Sequence, residues 1–109
     1  MSEEEADKRL EGLLTAFDLA FQRTVNAIKS DRDLDRAFRR ATAVGDHVQK
    51  LREELTGLRA VTAKSIYDRD SLSLAGLADR ISVSRTRAAQ LVNEAKQHED
   101  SQSPRKDQR

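Results

Sequence analysis

Two interleaved sets of residues, each repeating every seven positions, constrain this chain more than any other feature. Leu34, Ala41, Val48, Leu55 and Thr62 form one set, and Ala37, Val44, Leu51 and Leu58 form the other, three residues later. A strand carries its apolar side chains at alternate residues, so spacings of three and four suit a helix alone. A seam of about four heptads, with a period near 3.5, also calls for a partner helix wound against it. Phe38 widens the stripe. The expected dimer contacts are therefore Leu34, Phe38, Ala41, Val44, Val48, Leu51, Leu55 and Leu58. An antiparallel hairpin with a preceding helix uses the same seam, and the direction of a paired seam stays open.

A preceding helix is predicted. Leu10, Leu13, Leu14, Phe17, Phe21, Val25 and Ile28 recur at spacings of three and four from about Glu4 to Lys29. The acids at its start complement the helix dipole. Ser30 to Asp33 has the layout of a capping box, with Ser30 bonding the Asp33 amide and the Asp33 carboxylate reaching back. Gly45 and Gly57 each cost roughly 1 kcal/mol against alanine in a helix interior, which predicts a bend or break near Gly57. Leu58, Val61, Ile66 and Tyr67 continue as a helix to about Arg69, and Asp70 to Ser73 form the next turn and cap.

Composition agrees. Of 109 residues, 37% are hydrophobic and 36% charged, with one proline and four glycines, as in a helical, charge-rich chain. So small and charged a domain buries a limited core and gains by pairing. The absence of cysteine excludes disulfides and thiolate metal sites and suits a reducing cytoplasm. No apolar run has transmembrane length, and the N-terminus is acidic, unlike a signal peptide. No membrane partner is expected. The formal net charge is only +1, so no strong overall field draws the chain to polyanions. Locally the balance shifts, since Arg80 to Asn93 holds three arginines and no acid.

That basic stretch lies in Ser73–Val92, SLAGLADRISVSRTRAAQLV, the layout of two short helices joined by a tight turn. Leu74, Leu77 and Ala78 fall where the first helix must bury them. Ile81 and Val83 flank the turn, and Ala88, Leu91 and Val92 line the second helix. Ala78 stands at the closest approach, where a small side chain is needed. Ser84 can cap a helix starting at Arg85.

With Leu77, Ala78, Ser82, Val83, Ser84, Ala88 and Leu91 in place, the segment resembles the helix-turn-helix of bacterial transcriptional regulators. Similar strings occur in LacI-type repressors and in region 4 of sigma factors, and the subfamily stays undecided. Two residues depart from the pattern. Ser82 replaces the usual turn glycine and must accept a positive φ at a steric cost, and Ala88 replaces a commoner valine or isoleucine.

The resemblance implies a reading helix, and helical phase says which side chains face out. With Ala88, Leu91, Val92 and Ala95 inward, Arg85, Thr86, Ala89, Gln90 and Asn93 face a major groove. Arg85 can grip guanine, Gln90 and Asn93 adenine, while Thr86 or Ala89 meets a thymine methyl. Arg87, Lys96 and Arg80 suit phosphates, and Ser84 completes the candidate DNA-binding set.

Little points to catalysis. His47 and His98 stand apart from any nucleophile and acid arrangement. Asp31, Asp33 and Asp35 alternate without the glycine or distal glutamate of a calcium loop. No phosphate cradle or metal spacing is present, so neither enzyme activity nor a cofactor is expected. Taken together, these features predict an all-α chain. Residues 1–57 would be a long-helix hairpin or coiled-coil dimerisation region, residues 58–97 a three-helix helix-turn-helix unit, and residues 98–109 a disordered polar tail. The expected function is a homodimeric transcriptional regulator binding an inverted repeat in double-stranded DNA, cytoplasmic and nucleoid-associated. A competing expectation is a helical interaction module whose N-terminal helices bind a protein such as polymerase or a partitioning component.

Overall fold

The computed structural model describes residues 2–102, all of whose regular elements are helices: α1 Glu3–Lys29, α2 Leu34–Arg69, α3 Leu74–Ile81 and α4 Arg85–Gln102. The all-helical class expected from the spacing is thus observed. The chain divides into two compact units after Val48.

In the first unit, α1 opens on a full capping box. The Glu5 amide donates to Ser2 Oγ at 3.1 Å, and the Ser2 amide donates to Glu5 Oε1 at 3.0 Å. The box expected at Ser30–Asp33 does not form. Ser30 Oγ donates instead to the Asn26 carbonyl oxygen at 2.9 Å, sharing with the Ser30 amide (3.0 Å) a carbonyl one turn back on the helix. Asp33 itself caps α2, accepting from the Arg36 amide at 3.1 Å. Asp31 accepts from the Asp33 amide and from the Arg36 guanidinium fork at 2.7 and 2.8 Å, with Arg40 at 3.3 Å. Those bonds, led by Arg36, hold the Asp31 carboxyl well below the usual carboxylate range.

No residue of α1 is buried. Leu10, Leu13, Leu14, Phe17 and Phe21 are 43–61% exposed. Along α2, Leu34 and Phe38 are 79% and 74% exposed, Ala41, Val48, Leu55 and Leu58 are also exposed, and Val44 and Leu51 are half-buried.

The second unit holds the core. Ala60, Ala63, Leu91 and Ala95 form one buried cluster, with Val61 and Ile81 packed against it. Leu77, Ala78, Ala88 and Val92 form the other, bordered by Ile66, Tyr67, Leu72, Leu74, Ile81 and Val83. Alanines at these crossings let helix backbones approach closely, and Ile81 joins the two clusters.

α2 runs unbroken through Gly57 and across the boundary expected between residues 57 and 58, so the break expected there does not occur. A Cβ on Gly57 would come within 3.0 Å of the His98 imidazole. The glycine therefore makes room for a side chain from α4 rather than marking a break. α4 continues past His98 to Gln102, so residues 98–102, expected in a disordered tail, are helical. Residues 103–109 of that expected tail lie outside the described residues.

Two turns in this unit share one construction. After α2, the Leu72 amide donates to Tyr67 O at 3.0 Å and the Ser71 amide to Asp68 O at 3.3 Å. After α3, the Val83 amide donates to Ala78 O at 2.9 Å and the Ser82 amide to Asp79 O at 3.4 Å. This paired closure needs a left-handed residue, supplied by Ser71 (φ 52°) and Ser82 (φ 61°). A non-glycine residue is strained there by about 1–2 kcal/mol, part of which glycine gives back through its freer unfolded chain. Ser82→Gly should therefore stabilise the protein by roughly 0.5–1 kcal/mol, a rise of a few degrees in Tm, and Ser82→Val should lower it. A lower Tm for the glycine variant would contradict the strained turn.

Candidate nucleic-acid interface

α3 and α4 are joined by Ser82–Ser84, and hydroxyls set the start of each helix. Ser73 Oγ accepts from the Gly76 amide at 3.0 Å, and Ser84 Oγ accepts from the Arg87 amide at 3.0 Å. Ser84 thus caps α4, as its position after the turn predicts. The cap leaves the amides and positive dipole end of α4 at the surface beside Arg85.

The phase of α4 follows from what it buries. Ala88, Leu91, Val92 and Ala95 are buried, all four as expected, and Leu77 and Ala78 are buried in α3. Leu74, Ile81 and Val83 are half-buried. The opposite side of α4 then presents Arg85, Thr86, Gln90, Asn93 and Lys96, all exposed, with Ala89 half-buried at the edge. Thr86, Gln90 and Asn93 stand at spacings of four and three, so they share one stripe. The structure thus brings together most of the residues singled out from the sequence. It carries donors and acceptors in the forms that pair with base edges.

Two of the arginines assigned to phosphates are held within the chain. Arg80 Nη1 donates to Asp70 Oδ2 at 2.7 Å, while Arg69 grips the same carboxylate at 2.8 and 3.0 Å. Asp70 therefore keeps a bidentate partner even if Arg80 turns away. The hydrogen bonds from Arg69 and then Arg80 hold the Asp70 carboxyl well below its ordinary range. Arg87 Nη1 lies 3.4 Å from both Gln90 Oε1 and Glu94 Oε2. Lys96 makes no ion pair among the described residues.

Asp70 and Glu94 were not singled out from the sequence as parts of this surface. The Asp70–Arg80 pair spans ten residues, and no helical spacing announces it. Arg87 and Glu94 are two turns apart on one helix, so their pairing was open to inspection. Glu94 ends the acid-free stretch, and its other carboxylate oxygen is buried without a hydrogen-bond partner among the described residues. No group of residues able to hold a metal ion occurs among the described residues, and none of the described helices is long and apolar enough to cross a membrane.

Compared with known proteins, the chain matches no family model, and neither curated proteins nor solved structures give a significant match.

The Asp70 pairs make stability pH-dependent with a definite sign. A carboxyl whose folded value lies below its unfolded value, about 3.9, contributes fully above that value and loses its contribution as the pH falls through the folded value. Asp70→Asn should thus lower the Tm at pH 7 and flatten its fall below about pH 4. A variant whose Tm falls as steeply with acid as that of the wild type would contradict this role.

Proposed function

We propose that this chain is a sequence-specific DNA-binding transcriptional regulator. In this reading α3 and α4 act as a helix-turn-helix, and α4 is the helix that enters the major groove. What supports it is one observation: the face of α4 turned away from the core carries Arg85, Thr86, Gln90 and Asn93 on a capped helix start with no acid among them. Arg85 would grip guanine O6 and N7, Gln90 and Asn93 adenine N6 and N7, and Thr86 or Ala89 a thymine methyl. Lys96 would bind phosphate directly, while Arg80 and Arg87 would exchange Asp70 and Glu94 for phosphate oxygens.

The protein would act as a homodimer through residues 34 to 58 of α2, so that two reading helices meet an inverted repeat whose half-sites lie a whole number of helical turns apart. No chemistry beyond binding is required of it, and no cofactor is invoked. The competing reading is a helical module that binds another protein, and the exposed stripe from Leu10 to Phe21 favours it. The two differ in whether the outer face of α4 matters.

Selection from a random DNA pool followed by affinity measurements separates them. Arg85→Ala should weaken the cognate site by about 1–3 kcal/mol and relax one symmetric base pair in each half, most simply a guanine. Gln90→Ala should relax a neighbouring position. Selection that returns no symmetric motif, or the same motif without Arg85, favours the protein-binding module. Lys96→Ala should weaken binding to all sequences alike and reduce the log–log salt slope by about one. A slope unchanged by this substitution removes Lys96 from the phosphate contacts.

A further inference from the structure

The seam of α2 distinguishes two ways of pairing with itself, because its small residues are not spread evenly. Ala37 and Ala41 lie in its first half, and Leu51, Leu55 and Leu58 in its second. A parallel, in-register pair sets Ala37 against Ala37 and Ala41 against Ala41, leaving two thin layers at one end and three crowded ones at the other. Interiors are packed to near-crystalline density, so such unevenness leaves space unfilled.

Reversing one copy removes the imbalance. If residue numbers in facing positions add to 92, Ala37 meets Leu55 of the second copy, Ala41 meets Leu51, Val44 meets Val48 and Leu34 meets Leu58. Each alanine then faces a leucine, and all eight seam positions from Leu34 to Leu58 are paired. Moving the register by one heptad either way leaves an end of the seam without a partner.

Charge favours the same arrangement. In this register Arg40 flanks Glu54 of the second copy, twice by symmetry, and Phe38 flanks Arg52, where a guanidinium can lie over the ring. Arg40 is 60% exposed in its side chain and spends one nitrogen on Asp31, which leaves further donors for Glu54. Leu34, the most exposed of the large apolar residues at 79%, lands beside Leu58, Arg59 and Thr62. Those three help line an apolar groove of about 320 Å³. The most exposed knob thus meets a ready recess.

We infer that α2 pairs with α2 of a second copy as an antiparallel coiled coil centred on Asp46. This deepens the dimer reading above and rests on it. It does not depend on DNA recognition, because it is tested without DNA. The natural chain has no cysteine, so two single-cysteine variants, Leu34→Cys and Leu58→Cys, report the pairing directly. In the antiparallel pair the two copies of residue 34 are separated by 24 positions, about 36 Å of helix, far beyond the reach of a disulfide.

Oxidised separately, each variant should remain uncrosslinked. Mixed, with one carrying a mass tag, they should form the mixed disulfide as the main product. Self-crosslinking of each variant alone would show a parallel seam and overturn the proposal. No crosslink in the mixture or in either variant alone, when light scattering shows both variants to be dimeric, would place the interface elsewhere. A monomeric wild type at tens of micromolar would remove the dimer itself, while DNA binding, measured separately by gel shift, would stand or fall on its own.

Discussion

The close approach of α4 to α2 is the constraint on which the second unit depends. Ala60 and Ala95 are fully inaccessible, and Ala63 nearly so. A larger side chain at any of them would push the helices apart or force a shifted rotamer, because well-packed crossings absorb little added volume. With α4 seated this way, its rotation is determined and its polar stripe turns outward. Gly57 extends the same logic one turn further along α2, by admitting His98 where a side chain would stand.

The short connection between α3 and α4 converts that packing into a presented surface. Ser82 turns the chain through a left-handed residue, Val83 tucks against the core, and Ser84 caps the next helix within three residues. Such brevity leaves little freedom for the first turn of α4, which is where Arg85 and Thr86 stand. The basic residues around it are modest in number and partly committed. Asp70 and Glu94 hold Arg80 and Arg87 in the free chain. In the proposed complex, phosphate groups would replace those carboxylates. Affinity would then reflect an exchange of partners and the release of counterions rather than a large net field.

Much of this was legible in the sequence. The apolar spacing of Ala88, Leu91, Val92 and Ala95 gave the buried side of α4, and the order Ser82-Val83-Ser84 gave both the positive φ and the cap. Local chemistry decides those features, so a local reading finds them. Ser30 bonds the Asn26 carbonyl, leaving Asp33 to cap α2. Features set by distant contacts escape such a reading. Gly57 looked like a break because helix propensity cannot know that His98, some forty residues later, will lie on it. The polar run after Lys96 looked unstructured for the same reason, since His98 within it lies against α2 at Gly57. The capping box at Ser2 and Glu5 is of the local kind too, a serine three residues before a glutamate.

In the proposed function, the outer face of α4 is the surface that meets DNA. A titration of the isotopically labelled protein with duplex DNA, followed through its backbone amide resonances, tests this residue by residue. If that face meets DNA, the largest shifts fall between Ser84 and Asn93, fade with added salt, and leave the amides of α1 unmoved. Shifts confined to α1, or none at DNA concentrations that saturate ordinary non-specific binding, would contradict it.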